Sequence, residues 1–388
     1  MDSCDVLIVG GGPAGSACAW GLRDAGLEVV ILDREMFPRH KVCGGWVTPA
    51  VFAELEIDPA EYGRGRVIQP ITSFRTASMG GRAIESDYGR EVSYGILRSE
   101  FDDYLLRRSG ARLRLGAKLA SLERERDGWL VNGHIKARLV VGAGGYFCPV
   151  ARLTGSRAKG ENAVVAQEAE FEMDAAQMAS CRVQPETPEL YFCPDMKGYG
   201  WCFRKDNFLN VGLGRLDQHR LGEHVAEFVR FLKATGRIEF DIPSAMLGHA
   251  YLLYGPATRN VVDDGLLLAG DAAGLAYAQS GEGIRPAVES GLLAANTILA
   301  ARGDYSRQAL EPYRALLAGR MGASGQDWAS TIGQRLPAGW IATLGKLLLG
   351  SLWFTRKVVI DRWFLHSDQP PLDIRPGGLA SQMHVMTA

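Results

Sequence analysis

The chain has 388 residues, 47% of them hydrophobic and 22% charged, and a formal net charge of −1. Its length suggests roughly two to three domains' worth of material, and its near-neutral balance gives no reason to expect nucleic acid as a partner. Seven scattered cysteines with no CxxC pair argue for a reducing compartment and against a structural zinc site.

The acidic start, Met1-Asp2-Ser3-Cys4-Asp5, does not fit a signal peptide, and no apolar run reaches the ~18 residues of a spanning helix. Asp5-Val6-Leu7-Ile8-Val9 is a short apolar run that reads as a buried parallel strand. Residues 13–25 carry Ala, Trp and Leu at helical spacing, so a helix opens inside Gly10-Gly11-Gly12-Pro13-Ala14-Gly15. A second strand over 28–32 ends at Asp33. Together these make a dinucleotide fingerprint. Gly10 turns the chain, Gly12 lets backbone approach a pyrophosphate, and Gly15 lets the helix lie close on the sheet. Pro13 and Ala14 open that helix, whose N-terminus offers N–H groups to phosphates. Asp33, about 20 residues beyond the glycines, is placed to accept from a ribose hydroxyl, with Arg34 beside it. The motif alone does not separate NAD from FAD.

Residues 37–46 form a loop dense in polar and special residues. A helix over 101–108 is expected to be capped by Ser99, with acids in its first turn. Strands over 119–125 and 129–131 are joined by a tight Asp127-Gly128 turn. A buried strand over 137–141 delivers Gly142-Ala143-Gly144-Gly145. From about 160 to 250 the pattern changes to strands over 164–173, 184–192, 201–203 and 208–213 with a helix over 224–235, an inserted antiparallel sheet. Strands over 260–262 and 266–268 return to the first sheet and deliver a second glycine-rich segment, Gly270-Asp271-Ala272-Ala273-Gly274. Asp271 suits the cap of a helix starting there. A long helix spans 289–302, and the chain is mostly helical from about 305. The stretch 340–365 mixes Trp340, Trp353, Phe354, Trp363 and Phe364 with Lys346, Arg356, Lys357 and Arg362. It fits a helix lying on a membrane surface, and equally a helix capping a soluble core.

Several of these segments resemble the geranylgeranyl reductase family, within the flavoproteins similar to p-hydroxybenzoate hydroxylase, over residues 1–310. Lys41-Val42-Cys43-Gly44-Gly45 is similar to the family's Lys-x-Cys-Gly-Gly segment beside the flavin. Leu97-Arg98 with Phe101-Asp102 resembles the arginine-led helix of the wider class. Gly270-Asp271 followed by Gly281-Glu282-Gly283-Ile284 resembles the second FAD motif and the loop along the isoalloxazine. Tyr199-Gly200-Trp201-Cys202-Phe203-Arg204-Lys205 resembles a Tyr-x-Trp-x-Phe-Pro-Lys motif, with Arg204 where proline stands. At Gly142-Ala143-Gly144-Gly145 the wider class has Asp-Gly, so a carboxylate is missing here.

The resemblance implies an α/β fold. A Rossmann-like FAD-binding domain would comprise 1–70, 95–160 and 255–305, with an inserted antiparallel-sheet substrate domain over 71–94 and 161–254 and a mostly helical C-terminal region over 306–388. It implies FAD as cofactor, held by the first motif and by Lys41, Cys43, Gly44, Arg98, Gly144, Gly270 and Asp271. Gly281, Glu282, Gly283 and Ile284 would run along the ring, where backbone amides meet the charge that grows on reduction. Cys43, near Arg39 and Lys41, is a candidate proton donor to carbon, or an inert buried thiol. Tyr199 and Trp201 alternate on a strand and share a face, so with Phe203 they would bind an apolar substrate, or simply pack.

The implied activity is reduction of carbon–carbon double bonds in an apolar, isoprenoid chain by hydride transfer from flavin N5. Electrons would come from NAD(P)H or a ferredoxin-like donor protein. The rivals are a monooxygenase or halogenase of the same architecture, although no Trp-x-Trp-x-Ile-Pro run is present, and a non-catalytic electron-transfer flavoprotein. The expected location is cytoplasmic, or peripheral on the inner face of a membrane through 340–365.

Overall fold

The computed structural model describes residues 2–157, 160–161, 163–217, 219–243, 245–255, 259–325 and 338–373. The N-terminal apolar run becomes the strand Asp2–Val9, buried at its end because a parallel neighbour flanks it on each side. The eight-stranded sheet runs Val262–Asp263, Leu266–Leu268, Ile135–Gly142, Asp2–Val9, Val29–Leu32, Arg112–Arg114, and the hairpin of Leu122–Glu125 and Gly128–Val131 joins at Ile135–Gly142. Its central ladders are all parallel.

The first strand turns into the helix Pro13–Leu22 through Gly10, at φ +115°. A Cβ there would stand 2.4 Å from the Ala143 carbonyl oxygen, so no larger residue fits. The long helix Ile284–Ala300 lies along Pro13–Leu22. Small residues let them touch: a Cβ on Gly21 would lie 2.7 Å from that of Ala295.

The seven-stranded sheet runs Leu247–Tyr251, Val164–Glu172, Phe208–Arg215, Gly198–Lys205, Glu189–Phe192, Ser73–Ser78, Ile84–Asp87. It is antiparallel except where Glu189–Phe192 pairs parallel with Ser73–Ser78. The helix Leu221–Ala234 packs on one face, with Phe228 against Gly200. A small third sheet joins Trp46–Val47, Ser93–Ile96 and Ile68–Ile71, and its Trp46 lines the cavity.

Several local expectations are corrected. The strand expected over 184–192 covers only Glu189–Phe192, because Pro185 and Pro188 remove ladder donors from the residues before it. Ser99 does not cap its helix. The helix runs Arg98–Arg108 with Leu97 as the extended cap residue and no capping side chain, while Glu100 turns away to accept from the Val67 N–H at 2.8 Å. No long helix starts at Asp271. Gly270–Ala272 is a single 3₁₀ turn, ended at Gly274 with φ +78°. The long helix opens instead at Ile284, ahead of the expected 289.

The C-terminal segment is helical over Ala338–Leu349 and Leu352–Phe354, then winds as a π-helix over Thr355–Phe364. Phe354, Val358, Val359, Ile360 and Phe364 are buried against Ile71, Phe74 and Leu190. The stretch therefore caps a core on one side. On the other, Leu347, Leu352 and Trp353 are exposed. No helix among the described residues is long and apolar enough to cross a membrane.

Candidate active site

The carboxyl ends of the parallel strands open onto one cavity of about 910 Å³. Gly10, Gly12, Pro13 and Ala14 line it with Asp33, Arg34, Lys41, Cys43, Gly44, Arg98, Gly144, Gly270, Asp271 and the loop Gly281 to Ile284. Tyr199, Trp201 and Phe203 line it from the seven-stranded sheet. Of the residues expected at the site, Gly15 alone lies outside the wall. Its Cβ would sit 1.9 Å from the Gly10 carbonyl oxygen, so it closes the turn rather than meeting a ligand.

At one end the residues fit a dinucleotide. The helix Pro13–Leu22 starts at Gly12 with no capping side chain, which leaves its first N–H groups for a phosphate. Arg39, on the cavity wall, holds Nη1 buried without a partner while Nη2 pairs with Asp102 at 3.0 Å. Asp33 accepts from the Gly11 N–H at 2.6 Å and the Glu35 N–H at 2.9 Å. A carboxylate has lone pairs to spare beyond two bonds. The helix Ile284–Ala300 opens at Gly283, with Glu282 Oε1 accepting from the Arg285 N–H at 3.1 Å. These donors, and the space kept by the glycines, suit FAD. At Gly144, where the wider class carries the acid, a Cβ would come within 3.1 Å of Pro149.

Toward the middle the wall becomes ionic. Arg98 is buried and grips Asp102 through two bonds of 2.9 Å. Burial works against its charge, but Asp102 and then Cys43 more than compensate and raise its pKa. Lys41 Nζ lies 3.0 Å from His249 Nδ1, and His249 Nε2 lies 3.5 Å from Asp271 Oδ2. Burial lowers the pKa of both Lys41 and His249. It would raise that of Asp271, but the His249 hydrogen bond and the charges of His249, Lys41 and Arg98 hold it low. Asp271 also abuts Gly283, whose Cβ would lie 3.2 Å from Oδ1. The second glycine motif and the 281–284 loop therefore meet at that carboxylate.

Cys43 is half-buried, and its backbone N–H donates to Glu168 Oε1. Burial lifts the Glu168 carboxyl to about 7 against the pull of Lys205, and its second oxygen has no partner. Asn210 bridges this corner. It donates to Glu170 at 3.2 Å and accepts from Trp201 Nε1 at 2.7 Å. Tyr199, Trp201 and Phe203 face the cavity, while Gly200 and Cys202 point to Phe228 and the core behind. Gly44 leaves room for this wall, with a Cβ there 3.5 Å from Phe203 and 3.7 Å from Trp201. Tyr199 donates its hydroxyl to the Ser280 carbonyl at 2.5 Å, which ties the sheet to the start of the 281–284 loop.

Beneath that loop lies a buried ionic cluster. Arg285 bonds Glu289 at 2.8 Å, and Arg320 bonds the same carboxylate at 2.6 Å. Both arginines also donate to the Pro370 carbonyl. Glu54 accepts from the Leu372 N–H at 3.0 Å. Burial and the neighbouring Glu289 carboxylate push the Glu54 carboxyl far up. Burial likewise lifts Glu282 to about 7, with one oxygen unpartnered and His366 Nε2 3.9 Å away.

Sequence reasoning did not single out His249 or Glu168, and it named Phe364 only within the C-terminal aromatic stretch, whereas the structure puts it on the cavity wall. His249 lies on an edge strand with no local motif. Glu168 carried one faint signal: an acid on the buried face of an alternating strand, in step with Val164 and Ala166.

Fold and site together define an FAD-dependent oxidoreductase. The family described as FAD dependent oxidoreductase matches residues 5–92. A menaquinone reductase of Mycobacterium tuberculosis is 31% identical over 347 residues, which is 83% of this chain and 81% of that protein. A digeranylgeranylglycerophospholipid reductase of Methanocaldococcus jannaschii is 27% identical over 327 residues, 80% of this chain and 81% of that one. In fold, the chain is similar to the crystal structure of a geranylgeranyl bacteriochlorophyll reductase-like protein from Thermoplasma acidophilum, with a TM-score of 0.76, 21% identity, and coverage of 95% of this chain and 98% of that one. The chain belongs to the geranylgeranyl reductase family of FAD-dependent oxidoreductases.

Proposed function

We propose that the protein is an FAD-dependent reductase that saturates carbon–carbon double bonds in an apolar, isoprenoid-type lipid. The observation that carries this reading is the continuity of one cavity, from the uncapped helix at Gly12 to the aromatic wall of Tyr199, Trp201 and Phe203. The names of the relatives, which refer to menaquinone and to a digeranylgeranyl lipid, support a lipid substrate.

FAD, when bound, supplies the hydride for one alkene carbon. The protein's own residues have four tasks. Gly12, Arg39 and Asp33 hold the nucleotide end. The 281–284 loop, with its opening helix and the nearby Asp271, fixes the ring end. The aromatic wall excludes water and aligns the double bond, and much of the rate for so poor a hydride acceptor comes from that positioning. Cys43, flanked by Arg98 and Glu168, holds a proton at Sγ for the second carbon. Electrons reach the site from NAD(P)H or a ferredoxin-like protein.

The exposed Leu347, Leu352 and Trp353, with exposed Lys346 and with Lys357 paired to Asp361 at 2.9 Å, form an apolar face carrying a lysine and suited to an anionic bilayer surface. A peripheral position there would give the site access to lipid chains.

The test is anaerobic. The purified protein is reduced with dithionite and incubated with prenyl lipids, and products are read by mass for added hydrogen pairs. Added pairs support the reading. Product that forms only with oxygen, or no lipid product at all from a fully flavin-loaded protein, overturns it.

A further inference from the structure

We propose that Phe364 is the stop that sets how long an apolar chain the cavity accepts. This rests on the reading of the cavity as a site for an isoprenoid chain. Phe203 and Trp201 stand at Gly44, beside Cys43. Tyr199 follows along the wall, anchored to Ser280. Beyond Tyr199 comes Phe364, edge-on at 5.4 Å between ring centres. Among the described residues, it is the one cavity-lining side chain from beyond residue 287.

The ring is held in place. Trp46, itself on the cavity wall, stacks on Phe364 at 5.2 Å and 11°. Phe74 stacks on Trp46 in turn at 5.1 Å. Fully buried Val359 and Ile360 back the same segment. Phe364 ends the π-helix Thr355–Phe364, whose wide coil is closed by the Leu365 N–H on the Ile360 carbonyl at 2.8 Å. Such coils are rare and recur at functional sites. A chain lying along Phe203, Trp201 and Tyr199 therefore ends against a fixed ring that comes from outside both large sheets. Removing the ring frees roughly the volume of one five-carbon isoprene unit.

The experiment uses the full-length, FAD-loaded protein as wild type, Phe364→Ala and Phe364→Trp. Prenyl alcohols of increasing length are titrated by calorimetry, and the hydrogen pairs added to each are counted by mass. Phe364→Ala is expected to move the best-bound length up by one unit, with a gain of about tenfold for that longer chain. Phe364→Trp is expected to move it down. An unchanged ranking of lengths in both variants overturns the stop. A wild type that binds with a sharp length optimum yet adds no hydrogen overturns the reductase reading and leaves the stop standing. If Phe364→Ala loses flavin or its cooperative unfolding, Phe364→Leu takes its place with the same expected direction.

Discussion

Gly291 lies so close to Ala14 that a Cβ on it would stand 2.2 Å from the Ala14 carbonyl oxygen. This contact joins the helix after the first glycine motif to the helix after the second. It brings Gly270 beside Ala14 as well, with a Cβ-to-Cβ distance of 3.0 Å were Gly270 alanine. The two ends of the cavity, which we propose hold the phosphates and the ring, are thus joined by one helix–helix contact. Gly291→Leu is expected to wedge the helices apart, cost about 2–3 kcal/mol of stability, and lower the FAD retained per chain. Flavin absorbance and a denaturation midpoint measure both. Full flavin content and an unshifted midpoint would show that the contact does not hold the site together.

Cys43 separates two roles that look alike in structure. As the proton source for carbon, its loss should leave the protein yellow and cut lipid reduction by about 10²-fold or more. Cys43→Ala and Cys43→Ser are compared for flavin content and single-turnover reduction. If both variants turn over at the wild-type rate, the thiol is a wall residue and nothing more.

Glu282 predicts a pH dependence of stability. Burial raises its carboxyl from 4.5 to about 7 in the folded chain. Between those values the native state keeps a proton that the unfolded chain has lost. Stability from this group is fully present below pH 4.5 and is lost as pH rises through 7, by on the order of 3 kcal/mol. Glu282→Gln cannot titrate, so its denaturation midpoint should fall less between pH 5 and pH 8 than that of the wild type. Parallel curves for the two proteins would remove Glu282 from the account.

The C-terminal face makes a prediction about lipid. Leu352→Ser combined with Trp353→Ser should weaken co-sedimentation with vesicles containing anionic lipid, while the buried core behind Phe354 and Val358 keeps the unfolding midpoint near wild type. Binding to neutral vesicles should already be weak, and salt should weaken binding to anionic ones. Equal sedimentation of wild type and double variant would end the idea of a bilayer contact there.

Much of this protein is written in local pattern. Strand, glycines, helix and Asp33 follow one another within a short stretch, so period and spacing alone foretell the elements that build this end of the cavity. The alternation through Tyr199, Trp201 and Phe203 likewise foretells their common face, because a strand must send every second side chain the same way. What no stretch of chain reveals is which distant side chains share a cavity. His249 reaches Lys41 and Asp271, Glu168 reaches the Cys43 amide, and Phe364 closes the aromatic wall, each from an element whose own sequence carries no binding motif. Backbone preferences act over a few residues and are legible one segment at a time. Burial, ion pairing and the shape of a pocket arise from packing among segments, and only the tertiary structure decides them.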